Sequence, residues 1–355
     1  MKIIDIYIGK LVFGATLVAS LGLVSLLSMF TFLEQLVDLE NDYTMRIVVQ
    51  FVLLSVPRVV YETMPFAILI GALTGLGQLT NHSELVVLRS AGVSTWRIAL
   101  ATVKPVLVIL LFSSLLGELV APDFEKKGRL IREQAMEADI SPGKGVWTFH
   151  DGVYMHFTVV NEQLLSNLSA YYYEGLGLTK TLVARSAMPS EGAGTNGRWV
   201  LEKVAITDFK DNQVTSERHE TLLWQLDIDP VTLTNEILVD PERMSIITLY
   251  DLILAKQTMG VDARKFRLGF WTKIFQPLAS LGLVFVSLAF VFGSPRDTSM
   301  GMRIVTGLTV GILFKFVQDL LAPASLVFGF SPIIAVLAPT GLCIALGYGL
   351  LRQAK

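Results

Sequence analysis

Six stretches of this chain, near 11–33, 59–79, 98–118, 269–293, 303–323 and 332–351, are almost free of charge and long enough as helices to cross a hydrocarbon layer. Such a layer is about 30 Å thick and takes about 20 helical residues. Backbone amides cannot be left unpaired in lipid, so runs of this kind fold as helices. Buried core helices are rarely so long or so uniformly apolar. Composition agrees, with 52% hydrophobic and only 17% charged residues and a mean hydropathy of +0.56. A polytopic α-helical membrane protein with six transmembrane helices is expected.

The charges are unevenly placed. Residues 122–268 hold 16 Lys+Arg and 21 Asp+Glu, against 13 and 10 in all the rest. That segment reads as a water-soluble domain inserted between the third and fourth spans. The chain therefore divides into a first transmembrane half (1–121), an inserted domain (122–268) and a second transmembrane half (269–355). Orientation follows from Lys and Arg in the short loops. Lys2, Lys10, Arg89, Arg97, Arg296, Arg303, Arg352 and Lys355 lie on one side, whereas the first loop of the other side carries Arg46 against Glu34, Asp38, Glu40 and Asp42. Both termini are expected in the cytoplasm and the inserted domain outside. MKIIDIYIGK opens a span without a small-residue cleavage site and reads as a retained first helix.

The stretch TNHSELVVLRSAGVSTWRIAL (80–100) interrupts the apolar runs on the cytoplasmic side. Ser83 is a candidate N-cap, and Glu84 suits the first turn of a helix. Leu85 and Leu88 share a face, Arg89 follows, Gly92 is a natural stop, and Ser94 can cap the third span. Two readings fit 83–92: a short amphipathic helix parallel to the membrane, or an interfacial turn.

Between about 145 and 245 the period changes to that of strands. VWTF, VYMHFTVV, LSAYYYEG, TLVARSA, RWVLEKVAITDF, QVTSERHETLLWQL and TNEILV are rich in β-branched and aromatic residues. Asp151-Gly152 and FKDNQV are turn signals, and PSEGAGTNGR (189–198) reads as a surface loop. A sandwich or jelly roll is expected. SIITLYDLILAKQTMG then forms an amphipathic helix back to the membrane, with Gly260 near its stop. There is no HExxH, Walker A or GxSxG motif. His82, His150, His156 and His219 have no metal-ligand spacing, and the one cysteine, Cys343, lies within the sixth span. No catalytic residue, metal site or bound cofactor is expected of this chain.

Ionisable groups at membrane depth are costly and often functional. Arg58, Glu62, Glu118 and Lys273 fall near the outer ends of their spans, and Lys104 lies nearer the cytoplasm. Lys315 and Asp319 are spaced i, i+4 and can pair. Just beyond the third span, PDFEKKGRLIREQAM places Lys126, Arg129 and Arg132 on one helical face with Lys127 beside it. Arginine forks match phosphate oxygens. Such a face suits an anionic amphiphile, with a solvated basic face as the plainer reading.

YIGK (7–10), LLSVP (53–57), GALTGLGQLTNHSELVVLRSAGVS (71–94), GELVAP (117–122), REQAM (132–136), WTKIFQPL (271–278) and FG at 292–293 through MGMRIVTG (300–307) together resemble the lipopolysaccharide export permeases of the LptF/LptG family, most closely the LptG type. The likeness runs through essentially the whole chain. It implies an inner-membrane permease of a Gram-negative bacterium with a periplasmic β-jelly roll. The implied partners are a homologous LptF-type permease, a dimeric LptB-type ATPase that binds ATP and Mg, and a single-span LptC-type protein. The implied cargo is lipopolysaccharide, extracted from the outer leaflet toward a periplasmic bridge. By the same resemblance, residues 83–92 form the helix that docks on the ATPase, with Glu84 at its acidic position. Arg58, Arg129 and Arg132 match cationic positions near lipid phosphates. Thr31, Val37 and Asp38 stand where LptG-type relatives can carry lysines, so by this resemblance either Arg129, Arg132 and their neighbours hold the phosphate or the partner permease supplies more charge. Rival readings are another envelope ABC permease, a sensor or scaffold with no ATPase, and an intramembrane enzyme.

Overall fold

The computed structural model describes residues 2–39, 43–136, 146–150, 152–161, 164–174, 177–190, 198–210, 213–225, 240–258, 262–293 and 300–353. The strand expected at TNEILV, the stop at Gly260 and most of the 189–198 loop lie outside them. The helices are α1 (Lys2–Leu36), α2 (Met45–Asn81), α3 (Glu84–Ser90), α4 (Thr95–Leu115) and α5 (Ala121–Met136), with α4 running into α5 through a π-helical turn, Leu116–Val120. After six strands and a 3₁₀ turn (Pro241–Arg243) come α6 (Ile246–Thr258), α7 (Arg264–Gly293), α8 (Met300–Phe328) and α9 (Pro332–Gln353). Helices α1, α2, α4 with its continuation, α7, α8 and α9 are each long and apolar enough to cross a membrane. The chain is thus a polytopic α-helical membrane protein with an inserted β domain.

Two compact units make up the chain. The first comprises residues 1–33, 52–125 and 241–355; the second comprises 34–51 and 126–240. In the first unit one apolar core gathers Ile8, Val12, Ile68, Leu76, Ile98 and Val284, drawn from α1, α2, α4 and α7. Helices in a membrane gain little from excluding lipid, so close backbone approach has to hold them. Gly71 and Gly75 of α2 supply it. A Cβ on Gly71 would lie 2.5 Å from the Cα of Thr16, and one on Gly75 would lie 3.0 Å from that of Val12. Only glycine lets α1 seat there. Among the described residues several prolines lie inside helices, including Pro65, Pro122 and Pro277. Each removes one helical hydrogen bond that some other group must replace.

In the second unit, β1 (Val146–His150), β2 (Val153–Asn161), β3 (Leu164–Glu174), β4 (Gly177–Pro189), β5 (Arg198–Lys210) and β6 (Gln213–Gln225) form one antiparallel sheet in sequence order. Alternation buries one face, with Met155, Phe157, Leu168, Leu182, Trp199 and Leu201 inside. The sheet curls over that face. Asn167 and Lys203 have left-handed backbones, with φ of 51° and 50°. Pairing lapses beside them between Ser166 and Leu168, and again between Glu202 and Val204. A register shift follows His156 on β2. These breaks line up across the strands as a crease, which sharpens the twist. The indole of Trp224 on β6 consequently donates to the Tyr172 hydroxyl on β3 at 3.0 Å.

Candidate functional site

Helix α3 is closed at both ends by the residues that flank it, Ser83 before it and residues 91–93 after it. The expected N-cap at Ser83 is not made: its φ is 58°, and its side chain makes no capping bond. Ser83 instead closes α2. The amides of His82 and Ser83 bond to the carbonyls of Gln78 and Thr80, and a left-handed residue ends the helix there. The Ser83 carbonyl then starts α3 by accepting from Val86 and Val87. At the far end Gly92, with φ of 83°, donates to Arg89, and Val93 donates to Leu88. That is a Schellman closure, with Leu88 and Val93 both packed against the core. Ser94 caps α4 as expected, accepting from the Arg97 amide.

This double closure fixes which faces α3 shows. Leu85 is buried in the bundle core, whereas Val86 and Val87 are each 64% exposed and Arg89 is exposed beside them. Periodicity alone singled out Leu85 and Leu88. That spacing leaves Val86 and Val87 unmarked. Glu84 lies beside the Tyr7 hydroxyl of α1. Near it, Asp5 of α1 receives Lys104 of α4 at 2.7 Å and faces Arg97 at 3.9 Å. So ion pairs tie the start of α1 to α4, and α3 packs on the same core through Leu85 and Leu88.

At the end of the bundle where the chain leaves for the strands and returns, the unusual charges converge. Glu125 is 2% exposed and accepts from Arg58 at 2.9 Å and from Arg243 at 2.8 Å. Arg58 also holds Glu62 at 2.9 Å. Its guanidinium, expected to meet lipid phosphate, is therefore committed to two carboxylates. Neither Glu125 nor Arg243 was among the sequence candidates, since their link spans 118 positions.

A second set surrounds Lys273, which is buried on α7. It faces Glu118 at 3.6 Å, donates to the Gly117 carbonyl at 3.3 Å, and lies 5.6 Å from the centre of the Tyr61 ring. Prolines explain the polar partners. In the π turn Ala121 donates to Leu116, five residues back. Pro122 has no amide to offer Gly117 in that register, and the Lys273 ammonium replaces it. Likewise Pro65 leaves the Tyr61 carbonyl without its helical donor, and Gln276 supplies one at 3.3 Å. The other Glu118 oxygen accepts from the Ile246 amide at the start of α6.

The cationic face of α5 belongs to the second unit from Lys126 onward. Arg129 bonds Asp240 at 3.3 Å, Arg132 bonds Asp38 at 3.0 Å, and Lys127 is exposed. The Arg132 guanidinium lies 5.9 Å from the Phe51 ring centre. Tyr43 beside it is buried, donates to Gln35 at 2.9 Å, and has its phenol raised above the ordinary range by that burial. On α8, Lys315 and Asp319 pair at 2.6 Å, as their spacing predicts, with both side chains about half exposed. Among the described residues no group of three or more His, Cys, Asp and Glu gathers as a metal site would.

Comparison with known proteins places this arrangement. The profile of lipopolysaccharide export system permease LptF/LptG matches residues 6–353. The lipopolysaccharide export system permease protein LptG of Escherichia coli (strain K12) is 31% identical over 356 residues, covering 99% of this chain and 98% of that protein. Its namesake in Haemophilus influenzae is 32% identical over 358 residues, covering 99% of both. With six spans, an inserted β domain and a match from end to end, the chain belongs to the LptF/LptG family of lipopolysaccharide export system permeases.

Proposed function

We propose that this chain is a permease subunit of an ATP-driven exporter that lifts lipopolysaccharide out of the outer leaflet of the inner membrane and passes it toward a periplasmic bridge. The observation that carries the reading is the family match over residues 6–353. The chain works with an LptF-type permease, a dimeric LptB-type ATPase that holds ATP and Mg, and an LptC-type single-span protein. Both termini lie in the cytoplasm, and the β domain lies in the periplasm, as the loop charges predict.

Each part of the geometry has a place in this mechanism. Helix α3 docks on the ATPase through Val86, Val87 and Arg89, with Glu84 toward a basic residue of that partner. Ser83, Leu85, Leu88 and Gly92 keep it rigid, so ATPase closure moves the spans packed on it. Helices α1 and α8 expose long apolar faces, including Val18, Leu21, Met29 and Phe30 on one and Ile312, Leu313, Phe316 and Leu320 on the other. A second permease and the acyl chains cover them, with Lys315 and Asp319 facing that same interior. Lys126, Lys127, Arg129 and Arg132 hold lipid phosphate at the rim, whereas Arg58, Glu62 and Lys273 hold the bundle. Glu84→Arg tests the docking: the purified variant should lose the ATPase while the permease stays folded. Full ATPase retention and transport would refute it.

A further inference from the structure

Arg132 is held in an incomplete contact. The Nε and Nη2 atoms form the side-on edge of a guanidinium, an edge that matches two oxygens of one anion. Asp38 takes only Nη2, at 3.0 Å. Nε is shielded from solvent and has no acceptor among the described residues. An unpaired, shielded donor costs free energy that a second oxygen would recover. The rest of the group is already in place. The Phe51 ring lies under the guanidinium, and the buried Tyr43 hydroxyl, whose hydrogen goes to Gln35, lies close beside it. Asp38 itself is the loose element, with 37% of its side chain exposed near the end of α1. Pairs this exposed contribute little and exchange readily.

We infer that Asp38 is a displaceable stand-in for lipid phosphate: its carboxylate occupies the Arg132 edge until a phosphate, with more charge and a second oxygen for Nε, takes its place. Asp38 thereby sets how tightly the rim retains its lipid. A strong cation there would hold phosphate; a carboxylate returns to the arginine as the phosphate leaves and eases release. The inference rests on the phosphate-rim reading of α5.

The test is a four-member cycle in the full complex reconstituted in nanodiscs: the natural chain, Asp38→Asn, Arg132→Gln and both together. Retention of lipopolysaccharide is compared with that of a dephosphorylated form. Asp38→Asn should tighten retention about threefold, the size of one exposed ion pair. Arg132→Gln should weaken it, and the double variant should match Arg132→Gln alone. Asp38→Ser, which removes the carboxylate differently, should repeat the gain if Asp38→Asn perturbs folding. Weakening by Arg132→Gln with no gain from either Asp38 variant overturns the stand-in and leaves the rim standing. An equal gain in the Arg132→Gln background also overturns it, since Asp38 would then act by general repulsion. No effect of Arg132→Gln overturns the rim and the inference with it.

Discussion

Glu125→Gln removes one negative charge from between two arginines at almost no change in shape. In the natural chain its oxygens accept from Arg58 Nε at 2.9 Å and Arg243 Nη1 at 2.8 Å, and its side chain is 2% exposed. Glutamine keeps one acceptor oxygen but turns an NH₂ group toward one guanidinium. Arg58, only 15% exposed, retains Glu62 as a counter-charge. Arg243 is 29% exposed and can turn partly to solvent. Breaking a buried pair by removing one partner costs about 3–5 kcal/mol, and the partial escape of Arg243 points to the lower end. The assay is denaturant or thermal unfolding of the purified protein in mild detergent, with Arg243→Gln and the double variant completing a cycle. The double variant restores charge balance and should be less destabilised than the sum of the singles. A Glu125→Gln variant within about 0.5 kcal/mol of the natural chain, the range of ordinary surface changes, would refute the clamp.

Two other outcomes follow from the same geometry. Gly117→Ala drives a Cβ into the Tyr61 ring. It should destabilise by about 1–3 kcal/mol, as overpacking does, with partial rescue by Tyr61→Leu in the same unfolding assay. Asp262 accepts from the Arg264 amide at 2.8 Å and its side chain at 2.7 Å, and the backbone bond, then the side-chain bond, hold its carboxyl below the usual value. A lowered pKa stabilises the fold above the unfolded value, and that contribution fades as pH falls through the folded one. Asp262→Asn should therefore cost stability at neutral pH and nothing in strong acid; a pH-independent effect would contradict this.

Much of the architecture was legible because its causes are local. Length and apolarity announce six spans, alternation announces the strands, and i, i+4 spacing pairs Lys315 with Asp319. Gly92 and Ser94 act as their residue types predict. Ser83 misleads because one residue serves two helices: its left-handed backbone is needed to end α2, which leaves its side chain unable to cap α3. The polar network was not legible. Periodicity says which residues share a helix face, not which helices meet, so nothing marked Glu125 and Arg243 as partners for Arg58. The motifs GELVAP and WTKIFQPL were readable as resemblance, yet their joint purpose appears only in three dimensions. Gly117 admits Tyr61, Pro122 strips a donor from the Gly117 carbonyl, and Lys273 replaces it.

Native mass spectrometry of the tagged protein, purified gently from its own membrane at native expression, tests the central claim most directly. The account predicts one copy of this chain with a second permease, two copies of an ATPase and bound lipopolysaccharide. A lone or self-paired protein, free of any ATPase across several mild detergents, would contradict it.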